Sequence, residues 1–154
     1  MITIVGELNP YGARPEYALY PDPPGCAGHR LMKILGLSEE EYLALGRVNL
    51  CVRKWSGLAA RNAAVQLFFG AGEGDAFVML GRKVAAAFYV TGDPLPPFSV
   101  CTIHGVTFAS LPHPSGRCRA WNATDAVAHA REVLRIVTLR ASPSSAPTSR
   151  ARRQ

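Results

Sequence analysis

A three-layer α/β fold follows from three features of this 154-residue sequence. Short runs rich in β-branched residues alternate with longer runs of helical apolar spacing. The first run, Ile2-Thr3-Ile4-Val5, has the unbroken apolar character of a parallel strand buried on both faces. The length suits one domain with a real core, and no internal repeat is visible. Strands alternating with helices imply a parallel sheet with right-handed crossovers and helices on both faces.

The elements are expected in this order. Residues 2–5 form a strand that stops at Gly6, and residues 7–27 form a long loop with five of the prolines. A structureless loop of this length is usually functional. Leu31, Ile34 and Leu35 put a helix at residues 28–37. Ser38, with Glu41 three residues on, reads as a capping box for a short helix to about residue 45. Residues 47–52 are a strand, residues 58–69 an Ala-rich helix ending at Gly70, and residues 76–80 a strand. Residues 81–89 are a helix and residues 93–97 a proline-rich connection. Residues 99–103 and 106–110 flank His104-Gly105 as a hairpin. Residues 124–139 make the last helix, with Asp125 in its first turn.

Composition narrows the class. Hydrophobic residues make up 48% and charged residues 18%, the balance of a globular protein. No apolar run approaches a membrane span, and the N-terminus reads as a strand rather than a leader, so the cytoplasm is the expected compartment. The formal charge is +6, with 14 Arg against 3 Lys. Arg140, Arg150, Arg152 and Arg153 lie beyond Thr138 with no acid among them. Residues 1–140 are therefore read as the single domain. Residues 141–154, rich in Ser, Pro, Ala and Arg, are read as a disordered basic tail, either a DNA tether or an inert terminus. Cys26, Cys51, Cys101 and Cys118 form no Cys-x-x-Cys pair, so neither zinc nor any other cofactor is expected. Gly70-Ala71-Gly72-Glu73-Gly74 lacks the Lys-Ser/Thr of a phosphate-cradling loop.

Two segments carry chemistry. Leu111-Pro112-His113-Pro114-Ser115-Gly116-Arg117-Cys118-Arg119 follows the last strand-like run. Two prolines stiffen the backbone around His113 and hold its imidazole at the carboxyl end of a strand, where open α/β sheets place their sites. Gly116 permits close backbone approach, and Arg117 and Arg119 bring positive charge. The second segment is Gly6-Glu7-Leu8-Asn9-Pro10-Tyr11-Gly12, directly after the first strand. Asn9 and His113 stand 104 residues apart.

The His-Pro-Ser segment and the Asn9-Pro10 segment, in this order and at this separation, resemble the motifs of the uracil-DNA glycosylase superfamily. The resemblance spans roughly residues 2–138. It implies an α/β/α fold with a central four-stranded parallel sheet, and DNA as partner to a monomeric enzyme. The reaction implied is hydrolysis of the N-glycosidic bond of a flipped uracil or modified pyrimidine, leaving an abasic site. The superfamily members that hold an iron–sulfur cluster use a closely spaced N-terminal Cys pair, which this chain lacks.

Roles follow from what that reaction needs. The base departs as an anion, the sugar becomes oxocarbenium-like, and a water attacks after the base leaves the stack. By resemblance Asn9 positions the water. Two residues separate Gly6 from Asn9 where the family usually has one, so either the loop bulges or Glu7 supplies the carboxylate. His113 donates to the base O2, where charge develops. Asn49 reads the base: its amide accepts from N3–H and donates to O4, a pattern that fits uracil and mismatches cytosine. A structural Asn is the alternative there. Tyr20 stacks under the base, with Tyr17 as the alternative, and Tyr11 crowds C5 against thymine. Ser115 grips a flanking phosphate, and Arg117 either fills the vacated stack or contacts phosphate. Tyr11 belongs to uracil-specific branches and Asn9 to mismatch-specific and single-strand-selective ones, so the base remains open. No Lys near the motifs is placed as an amine nucleophile, so lyase chemistry is not expected. A glycosylase for hypermodified pyrimidines, a silent DNA-binding relative and a small-molecule nucleotide enzyme are the other readings.

Overall fold

The computed structural model describes residues 1–9, 14–88 and 92–142. Its centre is a five-stranded sheet: β1 (Ile2–Leu8), β2 (Gly46–Cys51), β3 (Ala76–Leu80), β4 (Val100–Ile103) and β5 (Val106–Leu111), in the order β2-β1-β3-β5-β4. The first four in that order run parallel, and β4 pairs antiparallel with β5 at the edge. Helices α1 (Ala27–Leu35), α2 (Glu39–Leu43), α3 (Gly57–Phe69), α4 (Arg82–Phe88) and α5 (Ala126–Ala141) cover it.

The two faces carry separate cores, because successive side chains of a strand point to opposite sides. Ile4, Val78, Leu80, Ala109 and Leu111 meet α1, α2 and α5 through Leu31, Leu35, Tyr42, Val133 and Val137. Val5, Phe77, Met79 and Phe108 meet α3 and α4 through Ala60, Ala64, Val84 and Ala87. Phe77 and Phe108 pack with ring centroids 5.8 Å apart. All five residues of β3 are buried, as a central parallel strand requires.

Several expected boundaries move, each for a local reason. The parallel core of four strands is as expected, but the sheet has a fifth, because the first arm of the expected hairpin joins as an edge strand. β1 runs past Gly6 to Leu8, since Gly6 and Leu8 stay paired with Asn49 and Cys51 of β2. Glu7 is thereby a strand residue and not a loop residue. The loop after it contains a 3-10 turn at Pro15–Tyr17. α1 begins at Ala27, where the Cys26 thiol accepts from the His29 N–H, and ends at Gly36, whose φ of 71° is the left-handed turn that stops helices. The Ser38–Glu41 capping box is present in both directions. α5 starts at Ala126, two residues later than expected. Asp125 makes no side-chain cap, and its carboxylate lies 3.6 Å from His129 Nε2 instead. α5 also runs on to Ala141, and Arg140, expected to start the basic stretch, is helical and donates to Thr102 Oγ1. The rest of the basic tail, residues 143–154, lies outside the described residues. Among the described residues no helix is long and apolar enough to cross a membrane.

Candidate active site

β1 is flanked by β2 on one side and β3 on the other, so the crossover connections reverse the direction in which they step across the sheet between β1 and β3, although all three strands run parallel. Open α/β sheets bind ligands at such a switch, beyond the carboxyl ends of the strands. A cavity of about 250 Å³ opens at that point, and Glu7, Asn49, His113, Tyr20, Leu19 and Gly28 are among its walls. Five residues singled out from the sequence, Glu7 on β1, Asn49 on β2, His113 after β5, and Tyr20 and its alternative Tyr17 in the proline-rich loop, thus share one space.

Glycines set the close approaches. Gly81 follows β3 with φ of +89°. A β-carbon there would sit 3.3 Å from His113 Cβ and 3.6 Å from Glu7 Oε1, so carboxylate and imidazole flank a single point. Gly6 lies under Asn49, and a β-carbon on it would collide with Asn49 Oδ1. That oxygen is buried and has no hydrogen-bond partner. An unpaired buried acceptor costs about 1–3 kcal/mol, which a ligand donor would recover.

Backbone anchors hold the other walls. The Trp121 indole N–H donates to the His113 carbonyl at 2.9 Å, and the Gly81 N–H donates to the Leu111 carbonyl at 2.8 Å. Three consecutive carbonyls before Pro21 are each gripped by a side chain. Arg47 Nη1 donates to Ala18 O at 3.3 Å, Tyr42 Oη to Leu19 O at 2.9 Å, and Cys26 Sγ to Tyr20 O at 3.2 Å. Burial pushes the Tyr42 hydroxyl well above the ordinary phenol range, so it remains a donor. The Arg47 guanidinium lies 5.7 Å from the Tyr20 ring centroid and 5.9 Å from that of Tyr42. Leu19 is left-handed at φ 50°, a strained conformation for this side chain that those bonds sustain. The backbone that carries Tyr20 is therefore gripped by three side chains, and Tyr17 meets the Tyr20 ring edge-on at 5.9 Å.

The other candidates are placed differently. Asn9 is 6% exposed, and its Nδ2 donates to Arg14 O at 3.0 Å. It lines an adjoining cavity of about 140 Å³ with Asn49 and Cys51 and not the one that holds His113. Asn49 is the wall common to both. Tyr11 falls outside the described residues. Ser115 and Gly116 face a separate cleft against α1, whereas Arg117 and Arg119 are exposed and line none of these cavities. Lys83 Nζ stands 3.9 Å from Glu7 Oε2 and 5.5 Å from the Trp55 ring centroid.

Sequence reasoning missed Arg47, Tyr42, Gly28 and Gly81 as parts of this site. A charged residue inside an apolar strand was a signal for Arg47, and a glycine directly after a strand was one for Gly81. A further cavity of about 290 Å³, between α3, α4 and the hairpin turn, is lined by Phe68, Phe69, Phe88 and Phe108 with His104 as its one titratable wall. It offers no paired groups for proton transfer. Among the described residues no group of three or more His, Cys, Asp or Glu could hold a metal. A scan against protein-family models finds no match to this chain, and neither does a sequence search of the curated proteins.

Proposed function

We propose that this chain is a monofunctional DNA glycosylase of the uracil-DNA glycosylase kind, which hydrolyses the bond between deoxyribose and a flipped pyrimidine. The observation that carries this reading is the unpaired, buried Asn49 Oδ1 at the wall of a cavity shared with His113 and Glu7. The cavity volume is below the roughly 300–1,000 Å³ of drug-sized sites, which suits one heterocycle better than an extended cofactor.

In this reading the base stacks on Tyr20, N3–H donates to Asn49 Oδ1, and Asn49 Nδ2 donates to O4. The His113 imidazole donates to O2. As the C1′–N1 bond breaks, its electron pair passes to the base, and the donor at O2 meets the charge where it develops. Water attacks C1′ and gives its proton to Glu7. We favour Glu7 over Asn9 for this step because Glu7 shares the cavity with His113, whereas the Asn9 amide is turned to Arg14 O. A carboxylate can accept the proton, and an amide cannot. Lys83 offsets the Glu7 charge from the rim. A base beside a leaving-group donor also favours hydrolysis over silent DNA binding.

The test is a panel of single- and double-stranded oligonucleotides, each with one uracil, 5-substituted uracil or hypermodified pyrimidine, scored for abasic sites. Base release from at least one substrate is expected. Intact glycosidic bonds across the whole panel would sink the reading.

A further inference from the structure

Arg47 sits on β2 two residues before Asn49, so the two side chains leave the same face of the strand. Its guanidinium carbon lies 5.7 Å from the Tyr20 centroid, and Tyr20 is a wall of the cavity. Arg47 does not itself line that cavity, so its charge acts on the contents from behind the ring. We infer that Arg47 is a positioning residue for the leaving group: its fixed charge, behind the Tyr20 ring, makes the cavity prefer a pyrimidine anion over the neutral base. The inference rests on the proposed reaction, because breaking the C1′–N1 bond sends its electron pair to the base and creates that anion.

Three observations carry it. First, the charge is half-buried without compensation. None of the ion pairs among the described residues includes Arg47, and its buried Nε has no hydrogen-bond partner. An unpaired cation in an apolar setting costs stability, which an anion in the neighbouring cavity recovers. Second, the cation is held in place. Nη1 donates to Ala18 O at 3.3 Å, and the guanidinium lies against both the Tyr20 and Tyr42 rings. A charge fixed before the reaction stabilises developing charge without reorganisation. Its field already reaches one neighbour: burial pushes the Tyr42 hydroxyl up, and the Arg47 charge pulls it part of the way back. Third, the cavity holds a charge that the cation opposes. Glu7 is the one acid on its walls, where His113, Cys26, Tyr17 and Tyr20 are the other titratable groups. Asp22 shares a neighbouring cleft with Tyr17 and Tyr20. Both carboxylates repel a departing base anion. Lys83 meets Glu7 at the rim, and Arg47 supplies positive charge on the Tyr20 side. A base stacked on Tyr20 at a centroid distance of about 4.5–7 Å lies roughly 10–13 Å from the guanidinium. At an effective dielectric constant of about 20, one charge at that range changes the stability of the anion on the order of tenfold.

The experiment uses free 5-nitrouracil, an acidic pyrimidine whose absorbance distinguishes its anion from its neutral form, so that no base excision is involved. The probe is titrated over pH while bound to the full chain. Wild type should hold the bound probe's pKa below its value in solution. Arg47→Gln should raise the bound value by about one pKa unit, the same tenfold. Arg47→Met, a second neutral variant with an apolar stem, should match it, and Arg47→Lys, which keeps the charge, should stay near wild type. Tyr42→Phe cuts the anchor on Leu19 O and leaves the charge. It should weaken probe binding with the bound pKa unchanged, which separates charge from anchoring. In single-turnover excision Arg47→Gln should lose more rate on uracil than on 5-fluorouracil, whose anion is the better leaving group. A probe that titrates on wild type as it does in solution, or that does not bind, overturns the inference without any variant. An unchanged bound pKa in folded Arg47→Gln or Arg47→Met, or an equal change in Tyr42→Phe, overturns it too. Base release by wild type together with any of those results removes Arg47 and keeps the glycosylase. A depressed, Arg47-dependent pKa with no base release from any substrate keeps the anion-preferring cavity and removes the glycosylase.

Discussion

The side-chain oxygen of Asn49 lies directly over Gly6, its partner across β1 and β2, in the space that any other residue's β-carbon would fill. The oxygen is buried, unpaired and at the wall of the cavity that holds His113. The pair explains why a glycine follows the β-branched start of β1: its missing side chain makes room for the Asn49 amide.

Gly6→Ala should push the Asn49 amide out of position. Overpacking of this kind costs about 1–3 kcal/mol, so the melting temperature should fall without loss of the fold. Uracil excision should fall further than the stability change accounts for, while binding to unmodified DNA persists. Excision at the wild-type rate by the folded variant would detach base reading from the Asn49 position.

Asn49→Asp replaces a donor and an acceptor with two acceptors. The carboxylate opposes O4 of uracil and accepts from the N4 amino group of cytosine. A mismatched buried acceptor is worth about 1–3 kcal/mol, or roughly one to two decades of selectivity. The variant should lose uracil release and gain some cytosine release, with thermal melting as the check on folding. A folded variant that still prefers uracil would make Asn49 structural and move recognition to the loop around Tyr20.

Glu7→Gln keeps the shape of the side chain and removes the base. Its kcat should drop by about 10²–10⁴, the scale of general base catalysis. Asn9→Ala should cost less turnover, because the Asn9 amide serves Arg14 O and lines the adjoining cavity. Single-turnover rates on one substrate decide between them: a larger loss in Asn9→Ala would return water positioning to Asn9.

His113→Ala should lower kcat by about 10²–10³, the usual loss for one donor at a developing oxyanion. DNA affinity should hold, since that bond strengthens only as the base departs. Full turnover by the variant would remove His113 from the mechanism.

The alternation of strand and helix, the capping box at Ser38 and Glu41, the hairpin around His104-Gly105 and the placement of His113 after a strand were all legible in the sequence. Each depends on local rules: apolar period, cap chemistry and turn residues act over a few positions. Strand order and the length of β1 depended on pairing between distant residues. Glu7 shows the difference. Composition put it in a loop, yet pairing of the flanking Gly6 and Leu8 with Asn49 and Cys51 keeps its backbone in the strand, and Gly81 then brings its carboxylate beside His113. Asn9, the better match to the motif, was carried into the next cavity by its bond to Arg14 O. The residue types able to do the chemistry were set by the sequence. Which of them share a cavity was decided by the tertiary structure, because side chains far apart in the chain meet only where sheet register and loop anchors bring them together.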